Sequence, residues 1–330
     1  MNARIANALV VVVTILVMVG MFELVCRTVV NTGTEYHIEM WKYAVQVKRL
    51  ASNPEIGHEH TPNSRARLMG ADVSINSLGL RDREFPAAKP AGTRRILMLG
   101  DSITFGWGVD QDKTASVVLE QRLKAAGQSD VQVINSGVGN YNTAMEVAYF
   151  RDHGAALVPD VVVLNYFIND GEPTPAYRDV PTLARHAYVY PVAGGAWDDI
   201  KRRFLGGPDW KEYYSGLYDD TQPGWQKTKA SIEALAQMCR ERGIRLIVAN
   251  VPELHILAPY PFTAVSDRVA AVAKAQGLEY LDLLPSVAQE DPSSLWVTVP
   301  DPHPNARAQA LMGNALADYL LSNPAASATP

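Results

Sequence analysis

The chain has 330 residues, 47% hydrophobic and 20% charged, enough for one large domain with extensions and an ample core. A net charge of −5 gives nucleic acid no electrostatic footing, and two cysteines, Cys26 and Cys239, are too few for a disulfide framework or a cysteine zinc site. The one dense basic cluster, "KRR" at 201–203, reads as a solvated face.

The run from Ile5 to Phe22 carries no charge, and continued to Cys26 it can cross about 30 Å of hydrocarbon. Glu23, near the far end, can reach the interface or pair with Arg27 one turn on. The run is longer than the core of a secretory signal and no small-x-small cleavage site follows it. Glu23 also stands where a lipobox before Cys26 would need an aliphatic residue. An uncleaved signal anchor over residues 1–27 is expected, embedded through residues 5–26. Arg4 before it and Arg27 and Lys42 after it barely discriminate the orientation. Because soluble domains behind one anchor are most often exported, the N-terminus is expected inside and the domain across the membrane.

Residues 28–92 contain two Gly/Pro/Asn-rich stretches, "ASNPEIGHEHTPNSR" and "FPAAKPAGT", and read as a juxtamembrane lead-in packed on a domain. His58 and His60 in "GHEHTP" alternate like strand neighbours, but no third or fourth ligand follows at a recognisable spacing. Neither a metal nor a cofactor is expected.

From residue 93 the pattern changes. "RILMLG" (95–100), "VQVINS" (131–136), "DVVVLNY" (160–166), "IRLIVANV" (244–251) and "EYLDLL" (279–284) are short apolar runs suited to strands buried on both faces. Helical patterns at 114–127, 143–155, 225–242, 263–276 and 305–322 alternate with them. This order predicts a flavodoxin-like three-layer α/β/α sandwich with a central parallel sheet over 93–322. Its site would lie beyond the carboxyl ends of the strands, where Gly100–Ser102, Gly137–Asn140 and Asn169–Asp170 fall. Residues 171–224, including "DWKEYYSGLYDDTQPGW", are too long for an ordinary connection. They serve as a supporting cap, as an aromatic wall facing substrate, or as both. Residues 323–330 read as a flexible tail.

"GDS" at 100–102 permits two readings, with Ser102 as the N-cap of a helix or as a nucleophile. In "IND", Asn169 could donate its amide to a developing oxyanion, or the Asn-Asp-Gly could simply turn the chain. In "DPHPN", a histidine between prolines with an aspartate two residues away suits a general base: His303 takes the hydroxyl proton and Asp301 sets its tautomer. Asn305 would cap the last helix. Asn142 breaks the glycine fingerprint of a dinucleotide site, and neither a P-loop nor a G-x-S-x-G elbow occurs. Glu253 in "VPELHIL" reads as structural.

Taken in order, "GDS", the glycine turn "SGVGNYNT", "IND" and "DPHPN" resemble the four blocks of the SGNH (GDSL-type) hydrolases, and "INSLGLRDREFP" looks like the lead-in of membrane-anchored bacterial members. The resemblance covers about residues 75–322. It implies ester hydrolysis or acyl transfer, with Ser102 as nucleophile and His303 as base. The oxyanion hole would use the Ser102 N–H, the Asn169 side chain and a backbone N–H of Gly139 or Asn140. Two blocks depart from the family pattern. The usual D-x-x-H is here D-x-H, since position 300 is proline, and this spacing looks like that of alginate-type O-acetyltransferases. Asn140 stands where a glycine usually precedes "YNT".

The expected function is a membrane-tethered serine esterase acting on an O-acetyl or short acyl ester of an envelope glycan or a lipid. Two alternatives stand beside it: an O-acetyltransferase with the same triad, and an accessory subunit of a membrane protein complex.

Overall fold

A computed structural model describes residues 3–324 apart from 178, 206–208 and 300, and the backbone alone for 199 and 202–205. The tail beyond 324, and the side chains of the second and third members of the "KRR" cluster, lie outside the described residues. Lys201, the first member, is exposed and paired with Asp198 at 2.7 Å.

The chain opens with α1 (Ala3–Val25), apolar and exposed along its length, and leaves it through one π-helical turn, Cys26–Val30. By length and composition this helix could cross a membrane, a description a signal sequence also meets. Glu23 and Arg27 form the expected pair at 2.6 Å. The lead-in folds into α2 (Tyr36–Gln46) and two short antiparallel hairpins, β1 (Lys48–Leu50) with β2 (His58–His60) and β3 (Arg65–Leu68) with β4 (Ala71–Ser74).

The central sheet comprises β5 (Arg94–Leu99), β6 (Val131–Asn135), β7 (Val161–Tyr166), β8 (Arg245–Asn250) and β9 (Glu279–Asp282), all parallel, in the order β6-β5-β7-β8-β9. Between and after them lie α3 (Ser102–Phe105), α4 (Ala115–Ala125), α5 (Thr143–Asp152), α6 (Val189–Leu205), α7 (Trp210–Gly216), α8 (Pro223–Glu241), α9 (Thr263–Ala275) and α10 (Ala306–Ser322). Strand periodicity divides the core. Leu97, Leu99, Ile134, Val162 and Leu164 face α5, α8 and α9, while Ile96, Met98, Val133, Val161 and Val163 face α4 and α10. Crossovers are right-handed, so the reversal of direction after β6 puts α4 and α5 on opposite faces. The crevice at that reversal opens at the carboxyl end of β5, where sheets of this kind bind ligands. A last hairpin, β10 (Trp296–Thr298) with β11 (Asp301–Pro304), brings the segment before α10 back to the same edge.

The lead-in is part of this core. Tyr43 of α2, Val47 just after it, and Leu68, Val73 and Ile75 from the second hairpin region pack with Phe105 and Trp107, directly behind the turn that follows β5.

Candidate active site

At the end of β5 the chain turns at Gly100, where a Cβ would stand 2.0 Å from Thr104 Oγ1, so only glycine lets α3 start this close to the strand. The helix cap is Asp101, which accepts from the Ile103 N–H at 2.8 Å. Ser102 is therefore the first helical residue and not the N-cap, the capping role having gone to the more strongly accepting carboxylate one position earlier. Its hydroxyl is left for another partner, His303 Nε2 at 2.9 Å. The far end of α3 is held by the buried Arg81 guanidinium, which donates to the carbonyls of Phe105 (2.7 Å), Gly106 (2.5 Å) and Val109 (2.5 Å).

Asp301 and His303 sit two apart on β11, and side chains at i and i+2 of a strand share a face. This is why D-x-H can replace D-x-x-H: in extended backbone one intervening residue already brings carboxylate and imidazole to the same side. His303 Nδ1 lies 2.5 Å from Asp301 Oδ1, and the His303 backbone N–H reaches the same oxygen at 3.2 Å. The second carboxylate oxygen accepts the indole N–H of Trp107 at 2.9 Å. Burial raises the Asp301 carboxyl, but the bonds and charge of His303, joined by Trp107, outweigh it and hold the group below the usual carboxylate range. An ionised carboxylate fixes the proton on Nδ1 and turns the Nε2 lone pair toward the serine hydroxyl. Tyr36 of α2 stacks beside the imidazole, ring centroids 6.4 Å apart and 26° between planes.

Asn169 follows β7 on a short 3-10 turn and donates from Nδ2 to Asp101 Oδ2 at 3.3 Å. A side-chain amide has two N–H groups, so one remains for the cavity that Asn169 lines. Its neighbour Asp170 turns inward instead, accepts from the Phe167 N–H at 2.9 Å and lies buried with Glu146. Burial, reinforced by neighbouring carboxylates, pushes both acids well above their usual range.

The loop after β6 is held from below by the lead-in. The Gly139 N–H donates to Tyr43 Oη at 2.9 Å, and the Tyr43 hydroxyl pairs with His60 Nε2 at 2.6 Å. His58 Nε2 meets the Gly139 carbonyl at 2.8 Å. Lys48 donates to Asn140 Oδ1 at 2.7 Å, fixing a residue whose φ of +69° lies in the left-handed region. Burial, with the nearby lysine, drives both imidazoles down to about 3, and burial lowers the Lys48 ammonium to about 7. The histidines are thus neutral props of the loop, and among the described residues no group of three or more ligands could hold a metal.

Ser102, His303, Asn140 and Asn169 open onto one cavity of ≈ 780 Å³. Phe167 and, from the long insertion, Trp210 and Tyr214 form part of its wall. The insertion also supports the core through the buried Tyr218, whose hydroxyl bonds Tyr166 at 2.7 Å and the Ile168 carbonyl at 2.9 Å. Glu253 lies in the wall too, hydrogen-bonded to His255 Nδ1, and that bond raises the imidazole above its ordinary value.

Trp107, Tyr36, Tyr43, Lys48 and His255 were not identifiable from the sequence. Trp107 stands in plain view in "GWGV" just after "GDS", yet no spacing rule assigns an indole to a carboxylate found 194 positions later.

The sequence model of the GDSL-like lipase/acylhydrolase family matches residues 98–311. Fold and match together define a serine ester hydrolase. The chain belongs to the GDSL-like lipase/acylhydrolase family. Solved structures similar to it include TesA (19% identity, 69% of this chain and 98% of that one, TM-score 0.45). A catalytic mutant of Axe2, an acetylxylan esterase from Geobacillus stearothermophilus, has 16% identity over 69% of this chain and 94% of that one (TM-score 0.45). The psychrotrophic esterase EstA from Pseudoalteromonas sp. has 15% identity over 69% and 97% (TM-score 0.44). No curated protein matches the chain.

Proposed function

We propose that this ester hydrolase is tethered to a bacterial inner membrane by residues 5–26, with its domain in the periplasm. There it cleaves O-acetyl or other short acyl esters of an envelope glycan or a lipid. The division that goes with this reading is an anchor over 1–27, a lead-in over 28–92 and a hydrolase domain over 93–322. One observation carries the chemistry: the unbroken chain Ser102 Oγ, His303, Asp301, at 2.9 and 2.5 Å, opening onto a cavity.

In the first half-reaction His303 Nε2 takes the Ser102 proton as Oγ attacks the ester carbonyl. The imidazolium then gives that proton to the leaving alkoxide as the acyl-enzyme forms. Water, activated by the same imidazole, returns the serine. The oxyanion would be met by the Ser102 N–H, the free N–H of Asn169 and the Asn140 N–H. Asn140 is favoured over Gly139 because the Gly139 amide is already committed to Tyr43, whereas Asn140 lines the cavity.

An O-acetyltransferase is the second reading, favoured by the Glu253–His255 pair in the wall of the same cavity. Such a pair could orient an acceptor hydroxyl in place of water. Labelling of the detergent-purified chain with a fluorophosphonate tests the common first half. Covalent labelling of the wild type, lost in Ser102→Ala and His303→Ala, is expected. Full labelling of Ser102→Ala would overturn the assignment.

A further inference from the structure

The segment 183–205 reverses the usual order of a surface helix. Its inner side packs on α2: Gly195 lies so close to the His37 ring that a Cβ would meet it at 2.6 Å, and Trp41 stacks edge-on against Tyr188 at 5.0 Å. Among the described residues the outer side carries an apolar stripe, flanked by the exposed Lys201–Asp198 pair. Tyr190, Trp197 and Ile200 are 48, 60 and 48% exposed, and Leu183 just before the helix is 90% exposed. Positions 190, 197 and 200 share a face at helical spacing. Beside them runs an open groove of ≈ 640 Å³ lined by Leu183, Ala187, Val189, Tyr190 and Ala193. A contiguous exposed apolar surface of this kind marks an interaction site.

What covers it is indicated by where it is fastened. The Glu23 carboxylate, in the last turn of α1, accepts from the N–H groups of Tyr188 (3.0 Å) and Val189 (2.8 Å), the start of α6. Arg27 bonds the His186 carbonyl and sits over the Tyr188 ring at 4.8 Å. The start of α6 is thus tied to the end of the apolar helix α1, at the level where that helix would leave a bilayer. Tyr and Trp with aliphatic neighbours on one side of a helix form the composition that settles at the lipid–water boundary.

We propose that α6 is an interfacial helix, with Leu183, Tyr190, Trp197 and Ile200 set into the lipid surface, and that the Ser102 cavity consequently serves acyl esters carried at that surface. The inference rests on the reading of α1 as a membrane anchor. It narrows the substrate to amphiphiles held in the bilayer. Distance agrees: Tyr36 in the cavity wall stands six positions after Val30, the last of the π turn, a reach of at most about 20 Å even when fully extended.

The test uses the full chain in phosphatidylethanolamine/phosphatidylglycerol nanodiscs containing lipids brominated near the headgroup. The difference in fluorescence between wild type and Trp197→Phe isolates Trp197. Quenching of that difference signal by the brominated lipid is expected. In parallel, Trp197→Glu/Ile200→Glu should lose tenfold or more turnover on an acyl ester embedded in the disc while hydrolysing soluble p-nitrophenyl acetate at the wild-type rate. Trp197 open to aqueous iodide but not to the brominated lipid, in protein that stays in the discs, would overturn the interfacial helix and leave the anchor standing. Shielding from both quenchers would overturn it in favour of a protein partner. Failure of the chain to enter discs at all would overturn the anchor and, with it, this inference.

Discussion

Replacing Trp107 with phenylalanine is a sensitive probe of the proposed triad, because it leaves all three members in place. Asp301 is buried and takes three N–H donors: Nδ1 and the backbone of His303 on one oxygen, the Trp107 indole on the other. Phenylalanine keeps an aromatic ring against Tyr43 but leaves Oδ2 without its donor. A hydrogen bond to a charged group is worth about 1.5–3 kcal/mol, and about 1.4 kcal/mol is a factor of ten. The carboxylate should therefore bind its proton roughly 10–100-fold more tightly and hold the His303 tautomer correspondingly less well. kcat/KM for p-nitrophenyl acetate should fall by about the same factor, short of the ~10⁴ expected for Asp301→Asn by analogy with other triads. The sign of the pH effect is fixed. Asp301 is held low, and removing a donor to its charged form raises its pKa, so the variant should fall furthest below the wild type at the acid end of the kcat/KM profile. The assay is the pair of pH–rate profiles, with thermal unfolding to show that both proteins are folded. A folded variant with kcat/KM unchanged across the profile would refute the role of Asp301 as the carboxylate that orients His303.

Asn169→Ala should lower kcat by about 10²–10³ with little change in KM, since an oxyanion donor acts mainly in the transition state; a rise in KM alone would make the residue a binding group. His60, buried and lowered to about 3 against an ordinary 6.5, is neutral in the folded chain and protonated in the unfolded chain between those values. Its contribution is fully present above pH 6.5 and declines as pH falls toward 3. Between pH 7.5 and 5 the wild type should lose about 2 kcal/mol relative to His60→Gln; parallel stability curves from denaturant unfolding would show that the ring titrates normally.

The sheet was legible because four of its five runs, those of β5 to β8, are buried almost throughout and have little else to become, while the edge strand β9, with Glu279 and Asp282, is only half-buried; the ends of β5, β6 and β7 then located the loops of interest. "GDS" and "DPHPN" were readable because local chemistry, a capped turn and a proline-bracketed histidine, singles them out. The cap was left open between neighbours: Asp101 and Ser102 both suit an N-cap, and only the backbone geometry assigns the role to the carboxylate. The support of the site was hidden for a different reason. Tyr43, Lys48 and His58 come from a lead-in without a strong period and act on a loop about 80–100 positions away through single hydrogen bonds, with His60 behind them on the Tyr43 hydroxyl. No pattern along the chain encodes such pairings. His58 and His60 drew notice as a metal question, while their partners are a carbonyl and a phenol.

That support has a bearing on where the chain can be cut. The stretch recognisable as the family begins at residue 98, after the whole lead-in, yet the loop carrying Gly139 and Asn140 rests on side chains that precede residue 61. A fragment trimmed to the recognisable stretch would keep its serine but lose most of β5 from the middle of the sheet, and one begun at residue 93 would keep the sheet and still lose the floor beneath its anion pocket. The ability to turn over an ester would then belong to lead-in and sheet together, and the minimal active unit would be longer than the part by which its kinship is recognised.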